Sequence, residues 1–154
     1  MVRSKDEHIR SNLFICIGDL CYRFPNQLEQ WTTRIYQVLQ DEVRIIDNSN
    51  TQSELVRTNA LSVLSHLILN DMVRVKGQIS RLVVLLEDPS ERIRTLAKVF
   101  FTEWGKRGNN PIYNVLPECI SSLLEMPEIN YEQFQRLIRF LIHFVEKVPF
   151  FVIP

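Results

Sequence analysis

The 154 residues contain only three cysteines, Cys16, Cys21 and Cys119, and no C-x-x-C spacing. Three thiols cannot all pair, which argues against a disulfide framework and predicts a reducing cytosolic or nuclear setting. Charge of one sign is missing too. Eighteen basic residues face 18 acidic ones, so no global field draws the chain to nucleic acid or to an anionic membrane, and any such contact has to be local. No apolar run approaches the roughly 18 residues of a membrane span, and the polar stretch through His8 has no signal-peptide core. Motifs of the form G-x-x-x-x-G-K-[ST], G-x-S-x-G and H-E-x-x-H are absent, which leaves catalysis without a visible seat. His8, His66 and His143 fall in three separate predicted helices, and none has a Cys, Asp or Glu at a metal-ligand spacing. Each is read as a structural or surface histidine. The chain is expected to be no enzyme, and to use no cofactor, metal or small-molecule substrate.

What the chain does have is repetition. With 45% hydrophobic residues it can bury a core as one domain. Four segments carry apolar or large residues at offsets 0, +4, +7, +8 and +11. They are Ile9, Leu13, Cys16, Ile17, Leu20; Val56, Ala60, Val63, Leu64, Leu67; Ile93, Ala97, Phe100, Phe101, Trp104; and Phe134, Ile138, Leu141, Ile142, Val145. Each set is one stripe of a helix. The first three also place arginine and then a small hydroxyl after the leading residue, as Arg10-Ser11, Arg57-Thr58 and Arg94-Thr95. The period is about 40 residues, as in helical solenoids of the HEAT or armadillo type. The predicted fold is therefore an all-α, right-handed HEAT/armadillo-type α-solenoid of about seven helices in three to four repeats. Residues 1–154 read as a single array, a fragment of a longer solenoid.

Three partner helices alternate with the four striped ones. They align through Ile35 with Val38-Leu39, Leu82 with Leu85-Leu86, and Ile120 with Leu123-Leu124, each followed at once by acidic or proline-containing turns. Helices are placed at about 6–23, 27–41, 54–69, 72–87, 90–106, 111–125 and 130–147. The stretch from Val43 to Ser53 is an insertion, read as a polar surface loop. At Gly105-Lys106-Arg107-Gly108-Asn109-Asn110, glycine is expected to supply a left-handed helix end. In this reading Cys16 and Cys119 are buried small hydrophobes and Cys21 points elsewhere, while the recurrent arginines bridge acidic turns or successive repeats.

The charged groups of interest are basic: Arg74, Lys76 and Arg81 along one helix, and Lys98, Lys106 and Arg107 toward the end of another. Convergent Lys and Arg make salt-dependent phosphate contacts without reading sequence, so these six are the candidate DNA-backbone contacts. Asp71, Glu87 and Glu103 are interspersed, and a plain solvated face is the competing reading. Trp31 and Tyr36 are assigned to interhelical packing.

Several runs are specific enough to suggest a family. Ile9-Arg10-Ser11-Asn12, Gly18-Asp19-Leu20 and Arg23-Phe24-Pro25-Asn26 are followed by Trp31-Thr32 and Tyr36. Next come the long run Val63-Leu64-Ser65-His66-Leu67-Ile68-Leu69-Asn70-Asp71-Met72, then Val75-Lys76-Gly77-Gln78-Ile79. Leu86-Glu87-Asp88, Arg92-Ile93, Leu96-Ala97-Lys98, Phe100-Phe101, Ile112-Tyr113-Asn114 and Leu116-Pro117 complete the order. Together they resemble the C-terminal HEAT segment of condensin complex subunit 1, over about residues 9–124. Beyond Glu125 only the helical character matches, and the Ile45–Ser53 stretch departs from the family pattern. The resemblance implies a non-catalytic regulatory subunit that docks on condensin SMC ATPases and kleisin. It also implies contact with DNA, chromatin and histones, and residence in the nucleus and on mitotic chromosomes with a cytoplasmic pool. Periodicity alone would also fit a HEAT adaptor in transport or trafficking.

Overall fold

Short polar side chains set where the helices begin, by accepting the first free backbone N–H groups. The computed structural model describes residues 6–24, 50–73, 75 and 78–145. Helix α1 (Glu7–Arg23) starts at Asp6, whose carboxylate accepts from the His8 and Ile9 amides at 2.8 and 3.4 Å. After α2 (Asn50–Leu69) come α3 (Ile79–Val84), a 3-10 turn at Leu85–Glu87, and α4 (Glu91–Gly105), capped by Ser90 on the Ile93 amide. Helix α5 (Pro111–Leu124) is capped by Asn110, with proline at its first position. Helix α6 (Tyr131–Val145) opens with a reciprocal box in which the Gln133 amide donates to Asn130 and the Asn130 amide to Gln133.

No strand occurs among the described residues, and the architecture is all-α and HEAT-like. Helices α1, α2 and α4 pack in succession, and α6 joins that layer where Phe140 meets Phe101 edge to face at 6.2 Å. Helices α3 and α5 pack on each other behind it. The core between the layers includes Leu61, Leu64, Leu82, Phe100 and Phe101, all but inaccessible to solvent. Each such side chain contributes about 1.5–3 kcal/mol by leaving water.

Five of the predicted helices agree with those found, although α2 starts four residues early. The predicted helix at 27–41, with Trp31 and Tyr36, lies outside the described residues, as do positions 43–49 of the insertion; positions 50–53 are helical backbone. The helix expected over 72–87 begins only at Ile79 and tightens into the 3-10 turn. The reason is how α2 ends. Asp71 sits at φ 56°, its amide donates to the Ile68 carbonyl at 3.1 Å, and the Met72 amide reaches the Leu67 carbonyl at 2.9 Å. That pair of bonds is a Schellman closure with Asp in the left-handed position. It turns the chain out of helix at Met72.

Two expected stripes are rotated. In α1, Ile9, Cys16 and Leu20 are exposed, while Ser11, Phe14 and Cys21 are buried against α2. Apolar residues run without a break from Leu13 to Ile17, so spacing alone did not fix which face turns inward. Cys16 is therefore a surface thiol and Cys21 a buried one, the reverse of the expectation. In α6 the buried positions are Leu137 and Leu141, with Phe134, Ile138, Phe140 and Phe144 packed beside them, so Phe134, Ile138 and Leu141 of the predicted stripe face the core while Ile142 is 37% exposed. The left-handed residue between α4 and α5 is Asn110, at φ 37°, not a glycine. Gly105 is needed for closeness instead, since a Cβ there would lie 2.6 Å from Cδ1 of Phe144.

Candidate docking array and basic surface

The recurrent arginines meet at one turn. Arg57 of α2 forms a buried ion pair with Asp88, the side chains being 7% and 2% exposed. Arg94, one repeat later in α4, donates to the backbone carbonyls of Asp88 and Pro89 at 2.6 and 2.8 Å. Asp88 also accepts the Ser90 amide at 2.9 Å, so one carboxylate joins a helix start to the preceding helix of the same layer. This agrees with the bridging role expected from the repeat. The hydroxyl beside Arg10 works similarly, with Asn59 of α2 donating to Ser11 of α1.

Other ion pairs also span repeats. Arg107, after α4, donates to Asp71, after α2, at 2.6 Å. Arg136 of α6 grips Glu87 through Nε and Nη2 at 2.9 and 2.8 Å. That bidentate bond holds the Glu87 carboxyl below its ordinary value; partial burial opposes the shift, and the positive charges of Arg136, Arg94 and Lys98 reinforce it.

The six candidate phosphate contacts do not form one patch. Arg74 and Lys76 lie outside the described residues. Arg81 is half-buried in the last turn of α3, with Nη1 enclosed and without a hydrogen-bond partner. Lys106 is exposed but paired with Glu103 at 2.6 Å, and Arg107 is held by Asp71. Lys98 projects from the exposed side of α4. The structure groups it with Arg94 and Arg136 around Glu87, a cluster the sequence reading missed because its members come from different repeats. Three cations there act on Glu87, and the carboxylate of Glu132 acts on Arg136 as well.

Two open grooves flank α2. One, of about 720 Å³ between α2 and α4, is lined by Glu54, Thr58, Ser62, Glu91, Thr95 and Val99 among others. The other, of about 370 Å³ against α1, has Asp19, Tyr22, His66 and Asn70 in its wall. The His66 ring lies tilted at 35° against Tyr22, 5.9 Å between centroids, and its backbone carbonyl accepts from the Asn70 side chain at 2.7 Å. No cluster of three metal-ligating side chains occurs among the described residues, and no helix among them is long and apolar enough to cross a membrane. Cys119 is buried in α5, which pushes its thiol up to about 12, with Glu118 adding to the effect.

Helices packed in two layers, apolar seams between units and ion pairs across the turns define a HEAT-like helical array. Residues 8–149 match the family of non-SMC mitotic condensation complex subunit 1, and the chain belongs to that family. The match continues through α6, beyond the Glu125 limit of the sequence resemblance. Among the relatives, the Arabidopsis thaliana condensin-1 complex subunit CAP-D2 is 45% identical over 92% of this chain. The human condensin complex subunit 1 is 43% identical over 90%, and that of Saccharomyces cerevisiae 31% over 96%. The chain spans only 9% of the length of the first two and 12% of the third.

Proposed function

We propose that this chain is a non-catalytic HEAT segment of a condensin regulatory subunit, acting in mitotic chromosome condensation by docking on kleisin or an SMC head and by contacting chromatin. The observation that carries the reading is the family match along 8–149, which covers every described helix of an array bearing no catalytic constellation among its described residues. An array of this kind offers extended surfaces rather than an enclosed site. The protein is assigned to the nucleus and mitotic chromosomes, with a cytoplasmic pool. Affinity purification of the full-length protein from mitotic cells, followed by mass spectrometry, tests this. Two SMC ATPases and a kleisin should co-purify; transport or coat proteins in their place would refute the condensin role and favour the adaptor.

DNA-backbone contact is assigned to Arg74, Lys76, Arg81, Lys98, Lys106 and Arg107, with histones as a further chromatin partner of the same segment. Lys106 and Arg107 have to exchange Glu103 and Asp71 for phosphate, which lowers what each contributes. Lys98 has no such exchange to make with an ion-paired acid. Charge reversal of Arg74, Lys76, Lys106 and Arg107 together should weaken DNA binding and flatten its salt dependence. Lys98→Gln alone should reduce the slope of log K against log salt by about one. An unchanged slope in both variants would remove DNA contact from this segment.

A further inference from the structure

The open side of α2 is a row of polar residues. Glu54, Thr58, Ser62 and His66 follow one another at spacings of four, and Asn70 continues the row past the helix end. A groove runs along each side of this row, and Ser62 lines both. Across the wider groove, α4 shows Glu91, Thr95 and Val99 in the same register, one repeat later. Thr58 is buried between them, and its hydroxyl has no hydrogen-bond partner. The walls hold apolar side chains left open to water: Ile15 and Tyr22 of α1 and Val99 of α4 are 44%, 56% and 53% exposed. The charge is acidic, with Asp19, Glu54 and Glu91 set against the guanidinium of Arg92. Asp71, Glu87, Asp88 and Glu103 are each held by an arginine or lysine, whereas Asp19, Glu54 and Glu91 form no ion pair with a described residue.

We propose that the open side of α2, with the groove on either side of it, seats an extended lysine- or arginine-bearing segment of a partner protein. The docking role proposed above thereby gains a surface and a ligand chemistry, and it is presupposed only in that the partner is a protein. Lysine and arginine suit the walls because their aliphatic stems cover apolar surface such as Val99 and Tyr22 while their heads reach carboxylates such as Glu91 and Asp19. The hydroxyls and Asn70 of the central row offer hydrogen bonds to the backbone of an extended chain, whose amides and carbonyls are not used up internally as a helix's are. The same row would leave polar groups unsatisfied beneath an apolar helix, and the three carboxylates repel nucleic-acid phosphate. Crossing from α1 to α4 takes two interhelical spacings of about 8–10 Å each, which about six residues of extended chain cover.

Fluorescence anisotropy of the full-length protein tests this, with a fluorescein-labelled eight-residue peptide of alternating lysine and serine as the probe. Binding should be saturable. Ser62→Arg puts bulk and a like charge between the two grooves at an exposed position whose hydroxyl bonds only the Thr58 carbonyl of its own helix. It should weaken binding by at least about tenfold without lowering the melting temperature. Ser121→Arg, the same change on the exposed side of α5, should alter affinity less than about twofold. Asp19→Asn, Glu54→Gln and Glu91→Gln together remove the carboxylates with little change of shape, and should weaken binding by about tenfold, each exposed pair contributing little singly. No saturable binding, or equal losses from Ser62→Arg and Ser121→Arg, would overturn the proposal. So would an equally tight complex with the matching glutamate-serine peptide. Because the probe contains no condensin subunit, these outcomes are independent of which chains co-purify in mitosis.

Discussion

Asp88→Asn perturbs the most consequential polar contact in the array and nothing else of similar size. Asparagine keeps the side-chain shape and can still accept the Ser90 amide, and the carbonyls that receive Arg94 belong to the backbone. What disappears is the negative charge facing Arg57, in a pair whose side chains are 7% and 2% exposed. Arg57 Nε already lacks a hydrogen-bond partner, so the guanidinium has no alternative acceptor at that atom. Leaving one member of a buried pair uncompensated costs about 3–5 kcal/mol. For a chain of this length each kcal/mol moves the melting temperature by about 2–4 °C, so a fall of roughly 6–20 °C is expected in circular-dichroism melts. Arg57→Met should cost less, because methionine fills the space and leaves a small anion already bonded to an amide. The double variant should then be more stable than the sum of the two losses predicts. Raising NaCl to about 1 M should leave the gap between wild type and Asp88→Asn unchanged, since a buried pair is poorly screened. A loss below about 1 kcal/mol, the level of an exposed pair, would refute the reasoning.

Phe101→Ala, which empties a wholly buried site under Phe140, should cost about 3–5 kcal/mol in urea denaturation; a cost under 1.5 kcal/mol would mean the seam between α4 and α6 is loosely packed. Gly105→Ala gains helix propensity but drives a methyl against the Phe144 ring, and a net loss of about 1–3 kcal/mol is expected; a more stable variant would show that the ring yields. Of the three thiols, Cys16 alone should react quickly with a disulfide reagent in the folded protein, burial having raised the pKa of both Cys21 and Cys119. Three fast equivalents would contradict the burial of α1's inner face. Because Glu87 titrates below its ordinary 4.5 when folded, its bond with Arg136 stabilises fully at neutral pH and fades as pH falls through the folded value. The stability difference between wild type and Arg136→Gln should therefore vanish once acid has protonated Glu87 in the folded state, and a gap that persists after that protonation would assign it to packing.

The parts of the fold that were legible in the sequence are those where one physical preference acts alone. All five stripe residues of α4 are buried as the spacing predicts, because, Leu96 and Val99 apart, the residues on its other faces are mostly polar or charged. In α1 the apolar run Leu13–Ile17 satisfies two phases at once, and the close approach of Gly18 to Val63, where a Cβ would lie 2.8 Å from Cγ1, goes with the other one. No spacing rule sees that a missing side chain can define a contact face. The start of α3 was misplaced because the Schellman closure at Asp71 uses a residue whose turn preference is weaker than glycine's. The bridging arginines were legible as a repeat, and Asp88 as a turn residue. The cluster of Arg94, Lys98 and Arg136 was not, since it exists only once successive repeats are stacked.

The two kinds of contact between units do different jobs. Apolar seams such as Phe101 on Phe140 supply most of the burial but tolerate sliding, because dispersion and the hydrophobic effect have little directionality. An ion pair at a turn tolerates much less. Arg57 with Asp88, Arg107 with Asp71 and Arg136 with Glu87 each tie points 31, 36 and 49 residues apart in sequence to within hydrogen-bonding reach. Only the first is buried, so only that one sets register strongly; the other two are exposed enough to yield to salt or to a competing anion. An array joined this way is held firmly between α2 and α4 and more loosely toward α6. If phosphate drew Arg107 off Asp71, the apolar seam would remain and only the directional constraint would go. Binding at the surface would then change the angle between neighbouring units rather than unfold them.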